Sequence, residues 1–157
     1  MMFQLSILLQ LGILVLYWSL IFANDNPMTK YHPTNFHVHL LGGIMSLVDV
    51  GVSGVIISIY HVYIGMIYGS VYSIFSGIYY VAGGKGINGT DYIYPVLDYS
   101  TNPGQAAGLC VVTSLVLMAA MHLFAYFCSL LRRWAVWHLR SSCYREGFEP
   151  VKENLAI

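Results

Sequence analysis

Four long apolar runs, separated by short polar stretches, set the pattern of this 157-residue chain. A helix needs about 20 largely apolar residues to cross a bilayer. The runs predict spans over 3–23, 36–59, 61–82 and 106–131, followed by a tail over 132–157. The first ends in Tyr17-Trp18 and then Asn24-Asp25-Asn26-Pro27, interfacial aromatics ahead of a helix-stopping cluster. It reads as an uncleaved helix rather than a signal peptide. No positive charge precedes it, its apolar stretch is long for a signal core, and no small-x-small cleavage site follows. Between the second and third runs only Ser58, Tyr60 and His61 interrupt the pattern, so a tight connection and antiparallel packing are predicted. Pro103-Gly104 leads into the fourth run, and Arg132-Arg133 closes it. The expected fold is all-α, a polytopic membrane bundle of four helices forming one domain.

Composition agrees with that pattern. Hydrophobic residues make up 57% of the chain and charged residues 9%, against about a quarter charged in soluble domains. The expected solvent, and first partner, is the lipid bilayer. The formal net charge is zero, so no field is available to attract nucleic acid, and that partner is excluded. Three cysteines, Cys110 and Cys128 in an apolar run and Cys143 in the tail, give neither a disulfide framework nor a zinc spacing. Cys143 is a candidate for palmitoylation. Five of the seven Lys and Arg (Arg132, Arg133, Arg140, Arg145 and Lys152) lie in the tail, which predicts a cytoplasmic C-terminus. Four spans then make the N-terminus cytoplasmic too, in the plasma membrane or an endomembrane. Loops 24–35 and 83–105 face outward, where the sequon Asn88-Gly89-Thr90 is a glycosylation candidate.

Two runs carry polar patterns. In the third, Gly65, Gly69, Ser73 and Gly77 recur every four residues, a stripe that lets a neighbouring helix approach closely or a second copy dimerise. The tyrosines beside it (Tyr60, Tyr63, Tyr68, Tyr72, Tyr79 and Tyr80) either pack or line a cavity for an amphiphile. In the second run His39, Gly42, Ser46, Asp49 and Ser53 share one face, predicted to point inward. Asp49 falls near the middle of that run and needs a partner or a proton; His122 and the tyrosines of the third run are the candidates. It is read either as a functional intramembrane carboxyl or as a protonated, fold-fixing one. His39 could be a base, a metal ligand or a capped interfacial residue. His37 and His39 stand about 200° apart on a helix, wrong for chelating one metal, so no metal site is expected, and nothing in the chain implies a cofactor. No G-x-S-x-G, H-E-x-x-H, phosphate-loop or dinucleotide motif occurs.

The segment Ile78-Tyr79-Tyr80-Val81-Ala82-Gly83-Gly84, then Tyr92 to Tyr99 with its Tyr94-Pro95-Val96-Leu97-Asp98 core, then Asn102-Pro103-Gly104, resembles the rolling stone family of multi-pass membrane proteins. Val38-His39, Val48-Asp49, Ser53-Gly54, His61-Val62 and Leu16-Tyr17-Trp18 extend the resemblance over roughly Tyr17 to Arg133. It implies a role in myoblast or other cell–cell fusion and muscle development. The family is also similar, distantly, to the androgen-induced membrane hydrolases, which cleave fatty-acid esters of hydroxy fatty acids with a threonine and a histidine. That likeness implies His39, or alternatively His37, as the catalytic histidine. Members of both families usually carry further helices upstream, so the resemblance implies a C-terminal portion without the hydrolase threonine, which neither Thr29 nor Thr34 matches. The resemblance therefore implies no hydrolase activity for this chain on its own. Physically, Tyr94-Pro95-x-Leu97-Asp98 suits a stiff loop dipping back onto the bundle, either as plain structure or as a lid over His39, Asp49 and the tyrosines. A proton-coupled channel or transporter, resting on Asp49 and the histidines, is the remaining and least favoured reading. A homo-oligomer or an assembly with other membrane proteins is compatible with each.

Overall fold

A computed structural model describes residues 2–22, 33–86 and 89–147. All its regular structure is helical among those residues. Helix α1 covers Met2–Leu16 and widens into π-helical turns over Tyr17–Ile21. Helix α2 begins at Pro33–Asn35, is π-helical over Phe36–Leu41, and continues over Gly42–Val52. Helix α3 opens with a 3-10 turn, Ile59–His61, and runs over Val62–Val81. Helix α4 runs from Pro103–Val111 through π turns at Val112–Leu117 to Met118–Gly147. All four are long and apolar enough to cross a membrane, and the chain is a membrane protein. Large apolar side chains such as Val71, Ile74 and Ile78 are exposed on the outer faces, an arrangement that only a lipid solvent favours.

The tight core lies in the tail-side half of the bundle. Ile7 and Leu11, one turn apart on α1, meet Val50 of α2, Ile57 and Ala125 of α4, all nearly inaccessible. Close helix contact depends on small residues. A Cβ on Gly43 would lie 3.0 Å from the Leu14 Cβ. On α3, Gly65, Gly69 and Ser73 turn inward within the same chain: a Cβ on Gly69 would lie 3.0 Å from the Ser114 Cα, and Ser73 and Ser114 share a hydrogen bond of 2.8 Å. The fourth stripe position, Gly77, has open space around it.

Two boundaries differ from the hydropathy pattern. The second helix stops at Val52 instead of reaching Ile59, because Ser53 adopts an extended backbone and residues 54–58 cross non-helically to α3. Carbonyls freed by such a break near a membrane need donors, and helices α1 and α4 supply them. Arg132 donates to the carbonyls of Val50 (3.1 Å) and Val55 (3.0 Å). Gln4 Nε2 donates to Ile56 (3.1 Å) while its Oε1 accepts from His61 Nδ1 (2.7 Å). His122, fully buried, donates through Nε2 to the Ser58 carbonyl (2.9 Å). The fourth helix also fails to end at Leu131. It continues to Gly147, so the double arginine terminates the apolar span and not the helix. Trp134 and Trp137 project from that extension, well exposed, and tryptophan is a residue type that membrane–water interfaces favour.

Candidate functional site

The loop-side half of the bundle is built differently. Here the π-helical turns of α1, α2 and α4 sit around a cavity of about 390 Å³. Each wide turn contributes one polar side chain to its wall: Tyr17, His39 and Thr113. Such insertions lose regular hydrogen bonds and recur where side chains must be re-aimed at a site. His39 stacks on Tyr17 with ring centroids 3.9 Å apart and planes 10° apart. Its Nδ1 has no hydrogen-bond partner among the described residues. Tyr68, Tyr72 and Ser73 of α3 and Cys110 of α4 complete the polar lining, and Leu9, Leu16 and Met118 form much of the apolar wall.

The loop between α3 and α4 covers the site. A 3-10 turn, Pro95–Leu97, carries Tyr94, Val96 and the buried Leu97 onto the cavity. Two anchors hold it. Tyr99 reaches the bundle, its hydroxyl 3.2 Å from Cys110 Sγ and its ring 5.4 Å from that of Tyr80. Asp98 organises the turn into α4: Oδ1 accepts from the Ser100 amide (2.9 Å), the Ser100 hydroxyl (2.5 Å) and the Thr101 amide (3.2 Å), and Oδ2 accepts from the Thr101 hydroxyl (2.8 Å). These bonds, those from Ser100 and Thr101 side chains foremost, hold its carboxyl down to about 2 from an ordinary 3.8. A depressed carboxyl stabilises its fold above the unfolded value and loses that contribution as the pH falls through the folded one. Pepsin cleavage within 92–102 should therefore rise as the pH drops from 3.8 toward 2, the window those two values define. Asp98→Ala should be cleaved readily throughout it.

Of the residues singled out from sequence, the fold brings His39, Tyr68, Tyr72, Tyr94, Gly69 and Ser73 together on one cavity. His37 is exposed and donates through Nδ1 to the Pro33 carbonyl at 2.8 Å, away from the lining. Asp49 does not point inward. Gly43, Ser46 and Val50 form the buried face of α2, and Asp49 lies on the exposed side of its last turn, one residue before the carbonyl that Arg132 caps. With the helix ending at Val52, it sits at the span's edge rather than the middle, where a carboxylate costs little. His122, one of the candidate partners of Asp49, bonds through Nε2 to the Ser58 carbonyl instead. Among the described residues no group of His, Cys, Asp and Glu could hold a metal ion. Asn88 lies outside the described residues, as do Thr29 and residues 148–157. Tyr17 and Thr113 were not anticipated as lining residues, since no local pattern marks a π turn.

The family model described as protein rolling stone matches residues 1–143. The chain belongs to the rolling stone family. Neither the curated proteins nor the solved structures gave a match. In this rolling stone chain the matched region takes in all four apolar spans, the break at 53–58, the cavity and its covering loop.

Proposed function

We propose that this chain acts in cell–cell fusion, in the setting of muscle development, as a cell-surface protein with both termini in the cytoplasm and the cavity and its covering loop in the outer half of the bilayer. The observation that carries the reading is the rolling stone match across residues 1–143. The cluster of Lys and Arg near the end of α4 supports the orientation, and a loop anchored on both sides supports a built outer face. Removing the chain from fusing myoblasts should lower the fraction of multinucleate cells, and re-expression should restore it, with lipid-ester levels unchanged. Normal fusion in its absence overturns the proposal.

A hydrolase of fatty-acid esters is the second reading, because His39 and the hydroxyls of Ser73 and Thr113 share one cavity. The hydrogen bonding favours it less. Ser73 pairs with Ser114 at 2.8 Å, and Thr113 donates to the Leu109 carbonyl at 2.8 Å, so neither hydroxyl is set against His39. A fluorophosphonate label lost in His39→Ala would reverse that ranking.

A further inference from the structure

We propose that the cavity is a binding site for a single-chain lipid with a compact, uncharged, hydrogen-bonding head, of which a monoacylglycerol is the representative. The inference rests on the cavity alone and holds whether or not the chain acts in fusion.

Depth argues for one acyl chain. The α1 residues on the wall run from Leu9 to Leu20, eleven steps that span about 16 Å at the helical rise. That is about half of a ~30 Å hydrocarbon core, one leaflet. The volume, about 390 Å³, lies near the lower end of ligand sites and suits one chain better than two. The opening faces the bilayer. Ile13, Tyr68, Tyr72 and Tyr94, all on the lining, are 41–46% exposed, so a lipid enters sideways between α1 and α3 without crossing water.

The head group follows from what stands at the loop-side end. His39, Tyr94 and Tyr72 offer hydrogen-bonding groups there, and no Lys, Arg, Asp or Glu is among the described lining residues. A phosphate would be buried without a cation, at a high desolvation cost. The turn at Pro95–Leu97 closes the end where a bulky phospholipid head would have to project. Hydroxyls of a glycerol head have donors and acceptors enough to meet an imidazole and two phenols.

The test uses the full chain in membranes with a photoactivatable, clickable monoacylglycerol, beside a two-chain phosphatidylcholine probe of the same chain length. The monoacylglycerol should label peptides from α1 and the 92–102 loop, and excess unlabelled monoacylglycerol should compete it away. Leu16→Trp, which fills the cavity, should abolish the competed signal, while Ile74→Trp on the lipid face should not change it. His39→Phe keeps the stacked ring and loses the hydrogen bond, so competed labelling should fall roughly fivefold to tenfold, the worth of one hydrogen bond to a ligand. Size-exclusion profiles and melting of each variant separate a lost site from a lost fold. Equal labelling by phosphatidylcholine, labelling that competitor cannot remove, or full labelling of a well-folded Leu16→Trp each overturns the proposal, since each means annular lipid only.

Discussion

Arg132→Ala should lower the stability of the solubilised protein by about 2–4 kcal/mol, because it removes charged donors from two carbonyls, one in the last turn of α2 and one in the non-helical crossing after it. The guanidinium spans Val50 and Val55 as a fork, so Arg132→Lys should recover only part of the loss: an ammonium keeps the charge but not the paired geometry. Both bonds lie partly open to solvent, which keeps the expected cost below that of two fully buried ones. Arg133→Ala is the matched control, since Arg133 is exposed and makes no hydrogen bond or ion pair among the described residues. Thermal unfolding in detergent measures all three. Equal, negligible shifts for Arg132→Ala and Arg133→Ala would show that the 53–58 crossing does not depend on the α4 arginine.

Gly69→Leu should cost about 1–3 kcal/mol or prevent folding, through forced separation of α3 from α4. The contact is with backbone, the Ser114 Cα at 3.0 Å from an added Cβ, so no side chain can swing away to relieve it. Gly69→Ala should already be destabilising for the same reason. Gly77→Ala, one further step along the stripe, meets nothing and should be neutral or stabilising by about 0.5–1 kcal/mol, the usual gain of alanine over glycine in a helix. The contrast separates packing inside the bundle from packing between copies. A stripe used only for dimerisation would make Gly77 as sensitive as Gly69 and would leave the monomer's melting unchanged in both.

What could be read from the sequence was whatever rests on periodicity. Hydropathy found four helices, because a lipid solvent selects long apolar runs almost regardless of detail. Four-residue spacing found the close approach at Gly65, Gly69 and Ser73. The tyrosines of α3 and the Tyr94-Pro95 loop were recognisable as candidates for one cavity. The break at 53–58 was not read, although Gly51, Ser53 and Gly54 followed by Val55-Ile56-Ile57 is poor helix and good extended chain. Its apolar side chains kept the hydropathy high. The donors that make it tolerable come from Gln4, His122 and Arg132, which are 52 to 82 residues away along the chain. Misplacing that break carried the error to Asp49, which a continuous helix would have put near mid-membrane. The helix phase was misjudged as well: three and four residue steps from His39 reach both Ser46, which is buried, and Asp49, which is not. The π turns over Phe36–Leu41 intervene between His39 and the regular part of α2, so a face drawn with 3.6 residues per turn does not continue through them.

The account's central claim is that the loop-side cavity is where this chain acts. Myoblasts lacking the chain, re-expressing either the native protein or Leu16→Trp at matched surface levels, test it most directly. The fraction of multinucleate cells should return with the native protein and stay low with the filled cavity. Full rescue by Leu16→Trp would contradict the claim and move the search to the outer loop itself or to the tail.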